Sequence, residues 1–250
     1  MVIFLDKKKV IVIILLIVFI GILSFSIYKI VNNKMETKKD NELQKEIINN
    51  VVIETIEEEN KFINVDFTEL LKLNNDTKGW ISFNAYINHV FVQAADNDYY
   101  LRRNFRRQHS EYGTLFMDYR NNNFQDQNTV IFGHNSTGMN MFGSLKLLLN
   151  RKYFADEGAD IIRISTLTNN YNFQIFSVYV IEMEEYYITP SFSDIEFKKF
   201  VDIIQRRSNH KLDVEVTKED KILTLSTCNG FRGTTKRTVV HAKLIDMMER

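Results

Sequence analysis

The run KILTLSTC, residues 221–228, ends in the only cysteine of the chain. Period-two alternation places Ile222, Thr224, Ser226 and Cys228 on one strand face and Leu223, Leu225 and Thr227 on the other. The leucines read as core-facing, so the thiol shares the more polar face and sits at the strand end. A single cysteine is by default a small buried hydrophobe, and position alone leaves both that reading and a reactive one open. A nucleophilic thiol must ionise, which requires positive charge nearby. Of the five histidines, His134 stands out. It follows the buried-strand pattern NTVIFG and begins the polar loop HNSTGMNMF, so it too ends a strand and could meet Cys228 at one rim. His89 and His241 lie inside strand-like runs and read as structural; His109 and His210 lie in charged loops and read as exposed. Two arginines follow the thiol. If the strands flanking NGFRGTTK form an antiparallel hairpin, Arg237, first in its strand, lies beside Cys228, last in its own. There it could hold a developing oxyanion; the plain alternative is a strand-end arginine solvated at the rim. Arg232 sits mid-loop with no strand to fix its direction.

The elements that must position these groups read as mostly β. WISFNAYI, HVFVQA, GTLFMDY, TVIFGH, DIIRIST, YNFQIFSVYVIEM, KILTLSTC and RTVVHAKLI are rich in Val, Ile, Phe, Tyr and Thr and are bounded by Asn, Asp and Gly. About eight strands with few long helices predict a closed or nearly closed β-barrel. Two helical runs interrupt them: MFGSLKLLLNRKYF, and DIEFKKFVDIIQRRS with Phe197, Phe200, Val201 and Ile204 on one face. Asp66 is placed to cap a short helix ending at Leu73. Upstream, Leu43, Ile47, Val51, Val52 and Ile56 recur at helical spacing and predict a helix on a polar stalk.

Val10 to Tyr28 is a run of nineteen residues without a charge. As a helix it would span about 28 Å, close to a bilayer core. Lys7, Lys8 and Lys9 precede it, as in a signal peptide, but Ser24 and Ser26 make a weak cleavage site and the run is long for a signal core. The expectation is an uncleaved single-pass anchor. The division predicted is a tail 1–9, an anchor 10–28, a stalk and N-terminal helix 29–63, and a barrel 64–250. Five lysines follow the span within twenty residues, so the positive-inside count does not favour a cytoplasmic N-terminus; the chemistry of the C-terminal part must decide. Formal net charge is zero, so no global basic field argues for nucleic acid. One cysteine excludes an internal disulfide.

TLSTC, followed nine residues later by Arg237 and then VVHAKL, resembles the cysteine motif of the sortases, membrane-anchored transpeptidases of Gram-positive bacteria. NTVIFGHNSTGMNMFGSL resembles their histidine motif. DFTELLKLNNDTKGWI, DNDYYL and GTLFMDYRN are similar to class B members in particular, and the likeness runs from about residue 64 to 245. It implies an eight-stranded barrel with an N-terminal helical extension and a crossover helix before the Cys228 strand. It also implies that Asn97, Leu101, Tyr187, Ile188 and Ser226 line a substrate groove. In the mechanism so implied, Cys228 is the nucleophile, His134 the general acid and base, and Arg237 the oxyanion support. The substrates are surface proteins with a C-terminal sorting signal of Asn-Pro-x-Thr or Ser-Pro-x-Thr type, cleaved after Thr. The acceptor is the amine of a cell-wall precursor of lipid II type. No metal or cofactor is expected. These partners meet at the outer face of the cytoplasmic membrane, which sets the N-terminus inside and the barrel outside. A papain-like protease would carry its cysteine before its histidine, whereas His134 precedes Cys228 by 94 residues. A pilus-polymerising sortase is the alternative within the family, and a membrane-anchored β-barrel binding module the alternative without chemistry.

Overall fold

The alternating runs of Val, Ile, Phe and Thr form strands because residues two apart can bury one face of a pleated ribbon. In a computed structural model describing residues 7–51, 53–55, 62–135, 141–155, 159–228 and 235–250, eight of them close into a barrel. The elements in chain order are α1 (Lys7–Asn50), β1 (Ile53–Thr55), β2 (Ile63–Val65), α2 (Thr68–Leu73), β3 (Thr77–Phe83), β4 (Ile87–Val92), β5 (Leu115–Met117), β6 (Asn128–Phe132), β7 (Ile161–Thr166), β8 (Asn169–Glu182), α3 (Asp194–Arg207), β9 (Ile222–Cys228) and β10 (Lys236–Glu249). The barrel order is β10-β8-β7-β3-β4-β5-β6-β9. Two neighbouring pairs, β4 with β5 and β6 with β9, are parallel, and the others antiparallel.

The chain divides into two units, Met1–Leu43 and Gln44–Arg250. The first consists of helix α1 up to Leu43. Its apolar stretch is long enough to cross a membrane, and none of that stretch is buried, consistent with an anchor. In the second unit, Gln44 at the end of α1 donates to the Asn88 carbonyl at 2.8 Å and Ile47 is buried. Helix α1 ends at Asn50, and of the residues read at helical spacing Val52 and Ile56 lie outside the described residues. Ile53–Thr55 instead pairs antiparallel with β2, Ile53 opposite Val65 and Thr55 opposite Ile63. Ile53, Glu54 and Thr55 lie between the residues read at helical spacing, and the partner strand decides their conformation.

Two apolar layers fill the barrel unit. The interior holds, among others, Ile81, Phe91, Ile131, Ile164, Ile175, Leu223, Leu225 and Val240. A second layer lies outside the β6-β9-β10-β8 wall, where Phe197, Phe200, Val201 and Ile204 of α3 cover Val130, Phe176, Ile222 and Val239. Burying each such side chain contributes about 1.5–3 kcal/mol. The start of α3 is set by a reciprocal cap: the Ser193 hydroxyl accepts from Glu196 N–H, and the Glu196 carboxylate accepts from Ser193 N–H. Asp66 is not the cap of α2: the N-cap position is Phe67, without a side-chain cap bond, and Asp66, one residue before it, accepts from Thr68 N–H at 2.9 Å. The run 142–155 forms 3-10 turns, Gly143–Leu149 and Arg151–Ala155, rather than an α-helix.

Candidate functional site

Strand register brings the three expected positions to one rim. β9 and β10 pair antiparallel with Arg237 directly opposite Cys228, and Val239 opposite Ser226. On the other side of β9 runs β6, parallel, with Val130 opposite Thr224 and Phe132 opposite Ser226. The same step onward leads to positions 134 and 228. Positions 130, 132 and 134 on β6 and its extension therefore share a sheet face with 224, 226 and 228 on β9 and with 237 and 239 on β10. The packing partners show that this is the outer face: Val130, Ile222 and Val239 meet α3 there, while Leu223 and Leu225 fill the barrel.

His134 leaves the end of β6 through Gly133, whose N–H donates to the Ser226 carbonyl at 3.2 Å. A Cβ on Gly133 would lie 2.3 Å from Leu115 Cδ2 and 2.8 Å from Phe142 Cδ2, so only glycine lets the chain pass. Phe142 N–H closes the loop back onto the His134 carbonyl at 3.1 Å. His134 is half-buried, and its Nε2 lies 2.6 Å from the Leu101 carbonyl. A carbonyl only accepts, so Nε2 carries a hydrogen. Arg237 is half-buried, and its guanidinium donates to the Lys236 carbonyl at 3.1 Å and approaches Met183 sulfur at 3.4 Å. Arg232 lies outside the described residues.

The five expected groove residues fall on two segments and one strand. Asn97 and Leu101 are half-buried. Asn97 donates to Asp118 Oδ2 at 3.2 Å, and its own Oδ1 accepts from Tyr119 N–H at 3.1 Å. Tyr187 and Ile188 form a 3-10 turn, Tyr186–Ile188, and are 1% and 6% exposed. Ser226 is 2% exposed, and its hydroxyl lies 3.2 Å from the Tyr187 hydroxyl. Tyr187, Ile188 and Ser226 thus form a layer beneath the rim, with Asn97 and Leu101 on the side nearer His134. A cavity of about 730 Å³ lined by Ser82, Asn84, Lys146, Lys152, Tyr153 and Arg163 lies elsewhere and includes none of them.

A buried polar chain under this layer was not read from the sequence. Asn128 Nδ2 donates to the Tyr187 and Thr189 carbonyls at 3.1 and 3.0 Å, which fixes its Oδ1 as the acceptor from Thr224 Oγ1 at 2.6 Å. With its one hydrogen committed, Thr224 accepts from His241 Nδ1 at 2.8 Å. His241 is then the Nδ1–H tautomer, and Tyr179 donates to its Nε2 at 2.9 Å. Burial, with the Arg207 charge adding to it, pushes His241 down to about 3, so the ring is neutral at physiological pH. His89 is likewise buried and held down to about 4. Both are structural, as their positions within strands suggested. His210 departs from its exposed reading: it is half-buried, bonded through Nε2 to the Leu148 carbonyl at 2.9 Å and set edge-on to Phe154. Buried asparagine and threonine on one strand face were the available signal, but their partners come from distant strands.

Known proteins share this architecture. The Sortase domain family matches residues 90–245. Sortase B of Listeria monocytogenes is 35% identical over 184 residues, covering 72% of this chain and 74% of that protein. The crystal structure of sortase B from B. anthracis in complex with AAEK1 superposes with a TM-score of 0.73 at 36% identity, covering 86% of this chain and 99% of that one. A Staphylococcus aureus sortase B–substrate complex superposes with a TM-score of 0.67 at 36% identity, over 72% of this chain and 84% of that one. A domain match across most of the barrel, together with class B relatives of this identity and coverage, establishes that the chain belongs to the sortase family as a class B member, a cysteine transpeptidase.

Proposed function

We propose that the protein joins surface proteins to the cell wall, with Cys228 as nucleophile, His134 as general acid and base, and Arg237 as oxyanion support. The observation that carries this reading is the register: position 228 has 237 directly opposite on one side and the extension toward 134 on the other. The Cys228 thiolate attacks the carbonyl of the threonine in a C-terminal sorting signal, forming a C–S bond. The carbonyl electron pair moves to oxygen, where the Arg237 guanidinium and backbone N–H groups stabilise it. On collapse the C–N bond breaks, and His134 gives the leaving amine a proton. A thioester remains and the substrate's tail departs. The amine of a lipid II-type precursor then attacks the thioester and loses a proton to neutral His134, and the thiolate is expelled. Asn97, Leu101, Tyr187, Ile188 and Ser226 form the groove, the last three by supporting its floor.

The exposed apolar helix supports single-pass anchoring through residues 10–28; the proposed substrates, which meet outside the cell, would set residues 1–9 inside and the barrel outside, carried on 29–63. That placement keeps the enzyme where both substrates are membrane-bound. Incubating the full chain in detergent with a quenched Asn-Pro-x-Thr peptide tests the chemistry. Cys228→Ala should stop cleavage and leave the fold intact; turnover retained in that variant would refute the mechanism.

A further inference from the structure

The two expected groove walls are joined by an ion pair that lies outside the catalytic trio. Asp118 follows β5 directly and its side chain is fully buried. Its Oδ1 accepts from Arg120 N–H and from Arg120 Nε, both at 2.9 Å. Its Oδ2 accepts from Arg120 Nη2 at 2.7 Å and from Asn97 Nδ2 at 3.2 Å. The second hydrogen of Nη2 goes to the Ile188 carbonyl at 3.0 Å, and Nη1 lies 3.7 Å from the exposed Glu185 carboxylate. One guanidinium therefore reaches the Asn97 wall through Asp118 and the Tyr187–Ile188 wall directly. The carbonyls of the second wall are shared between two donors, Asn128 and Arg120. Of its consecutive carbonyls, Tyr187 and Thr189 accept from Asn128 Nδ2, Ile188 from Arg120, and Pro190 from Asn128 N–H at 2.9 Å. Asn128 is fully buried within β6, whereas the Arg120 side chain is 29% exposed. Arg120 is thus the member of this cradle that can change without opening the core.

We infer that Arg120 is a positioning residue for the sorting peptide, setting the spacing of the two groove walls by bridging the Asp118 carboxylate and the Ile188 carbonyl; this rests on the groove assignment proposed above. The planar fork is what makes the bridge possible. Two parallel N–H groups engage the carboxylate while a third, in the same plane, engages the carbonyl. A lysine ammonium at this position would still neutralise Asp118, but as a point charge on a flexible stem it does not hold that three-way geometry. Charge compensation of a buried carboxylate and bridging of the walls are thereby separable.

The experiment compares the parent, Arg120→Lys and Arg120→Met, each as full chain in detergent, on a quenched Asn-Pro-x-Thr peptide. Arg120→Lys is expected to melt close to the parent. Its KM should rise about tenfold, the scale of one lost charge-assisted hydrogen bond, with kcat and the rate of Cys228 alkylation within about twofold of the parent. Arg120→Met should show the same KM change and melt lower, because Asp118 is left unpaired. Amide exchange read without substrate should quicken over 97–101 and 186–189 in both variants. A parental KM for Arg120→Lys overturns the inference, whatever its melting temperature or exchange, because Asp118 then needs only charge. So does a loss of kcat and alkylation rate with KM unchanged. Failure of the parent itself to cleave the peptide counts against the proposed function instead, and amide exchange then decides the bridge: parental exchange over both segments in Arg120→Lys overturns it.

Discussion

Replacing Thr224 with valine keeps the shape of the side chain and removes one hydroxyl from the middle of a directional chain. That hydroxyl donates to Asn128 Oδ1 and accepts from His241 Nδ1–H. Thr224, Asn128 and His241 are all 0% exposed, so no solvent replaces the lost partner. Two buried polar groups are orphaned, each at about 1–3 kcal/mol, so the change should cost about 2–6 kcal/mol. Against a typical domain stability of about 5–15 kcal/mol, that is a large share. With a urea slope of about 3 kcal/mol/M, the midpoint should fall by about 0.7–2 M. Thr224→Ser is the control: it keeps the hydroxyl and loses one buried methyl, about 0.8 kcal/mol. Urea unfolding at pH 7.5, followed through the single, fully buried Trp80, reads both. If the valine variant is as stable as the serine variant or more so, the hydroxyl does not link the chain as described. The tautomer assigned to His241 then fails with it.

Arg237→Lys and Arg237→Ala should each lose about 10²–10³ in kcat on a sorting peptide with Cys228 still alkylatable; near-parental turnover in both would exclude Arg237 from oxyanion support. Acid should destabilise the barrel through His89 and His241, whose folded values of about 4 and about 3 lie below the unfolded value near 6.5. The unfolded chain binds their protons first, so the stability they confer is complete above about pH 7 and is lost as pH falls toward the folded values. By pH 5 each costs about 2 kcal/mol, and urea midpoints that stay flat from pH 7.5 to 5 would contradict the burial argument. Gly133→Ala should lower turnover by more than about tenfold, because a fraction of an ångström at His134 matters to catalysis. Gly21→Ala, with nothing within 4 Å, should leave turnover unchanged, and equal effects would refute the steric account. A chain beginning at Lys34 should be soluble and cleave peptides; one that folds but is inert would mean that the apolar helix does more than tether.

Much of the placement of the candidate residues was legible because it is local. Alternation along residues 222–228 assigned the faces of β9 without any partner, and the buried leucines agree with it. A short connection between two strand runs predicted an antiparallel pair, and Arg237 does stand opposite Cys228. The nineteen-residue apolar run and the four-residue face of α3 follow from periodicity alone. The resemblance carried by residues 224–237 and 128–145 was enough to indicate the family. Tertiary structure decided what depends on distant partners. The parallel pairing of β6 with β9, joining strands almost a hundred residues apart, is specified by barrel closure and not by any local pattern. Ile53–Thr55 became a strand because β2 was there to pair with it. Arg120, Asn128, Thr224 and His241 are unremarkable in the sequence, since arginine or asparagine near a strand end is ordinarily solvated. Only in the closed barrel, with water excluded and each buried donor obliged to find an acceptor, do they become the frame beneath the rim.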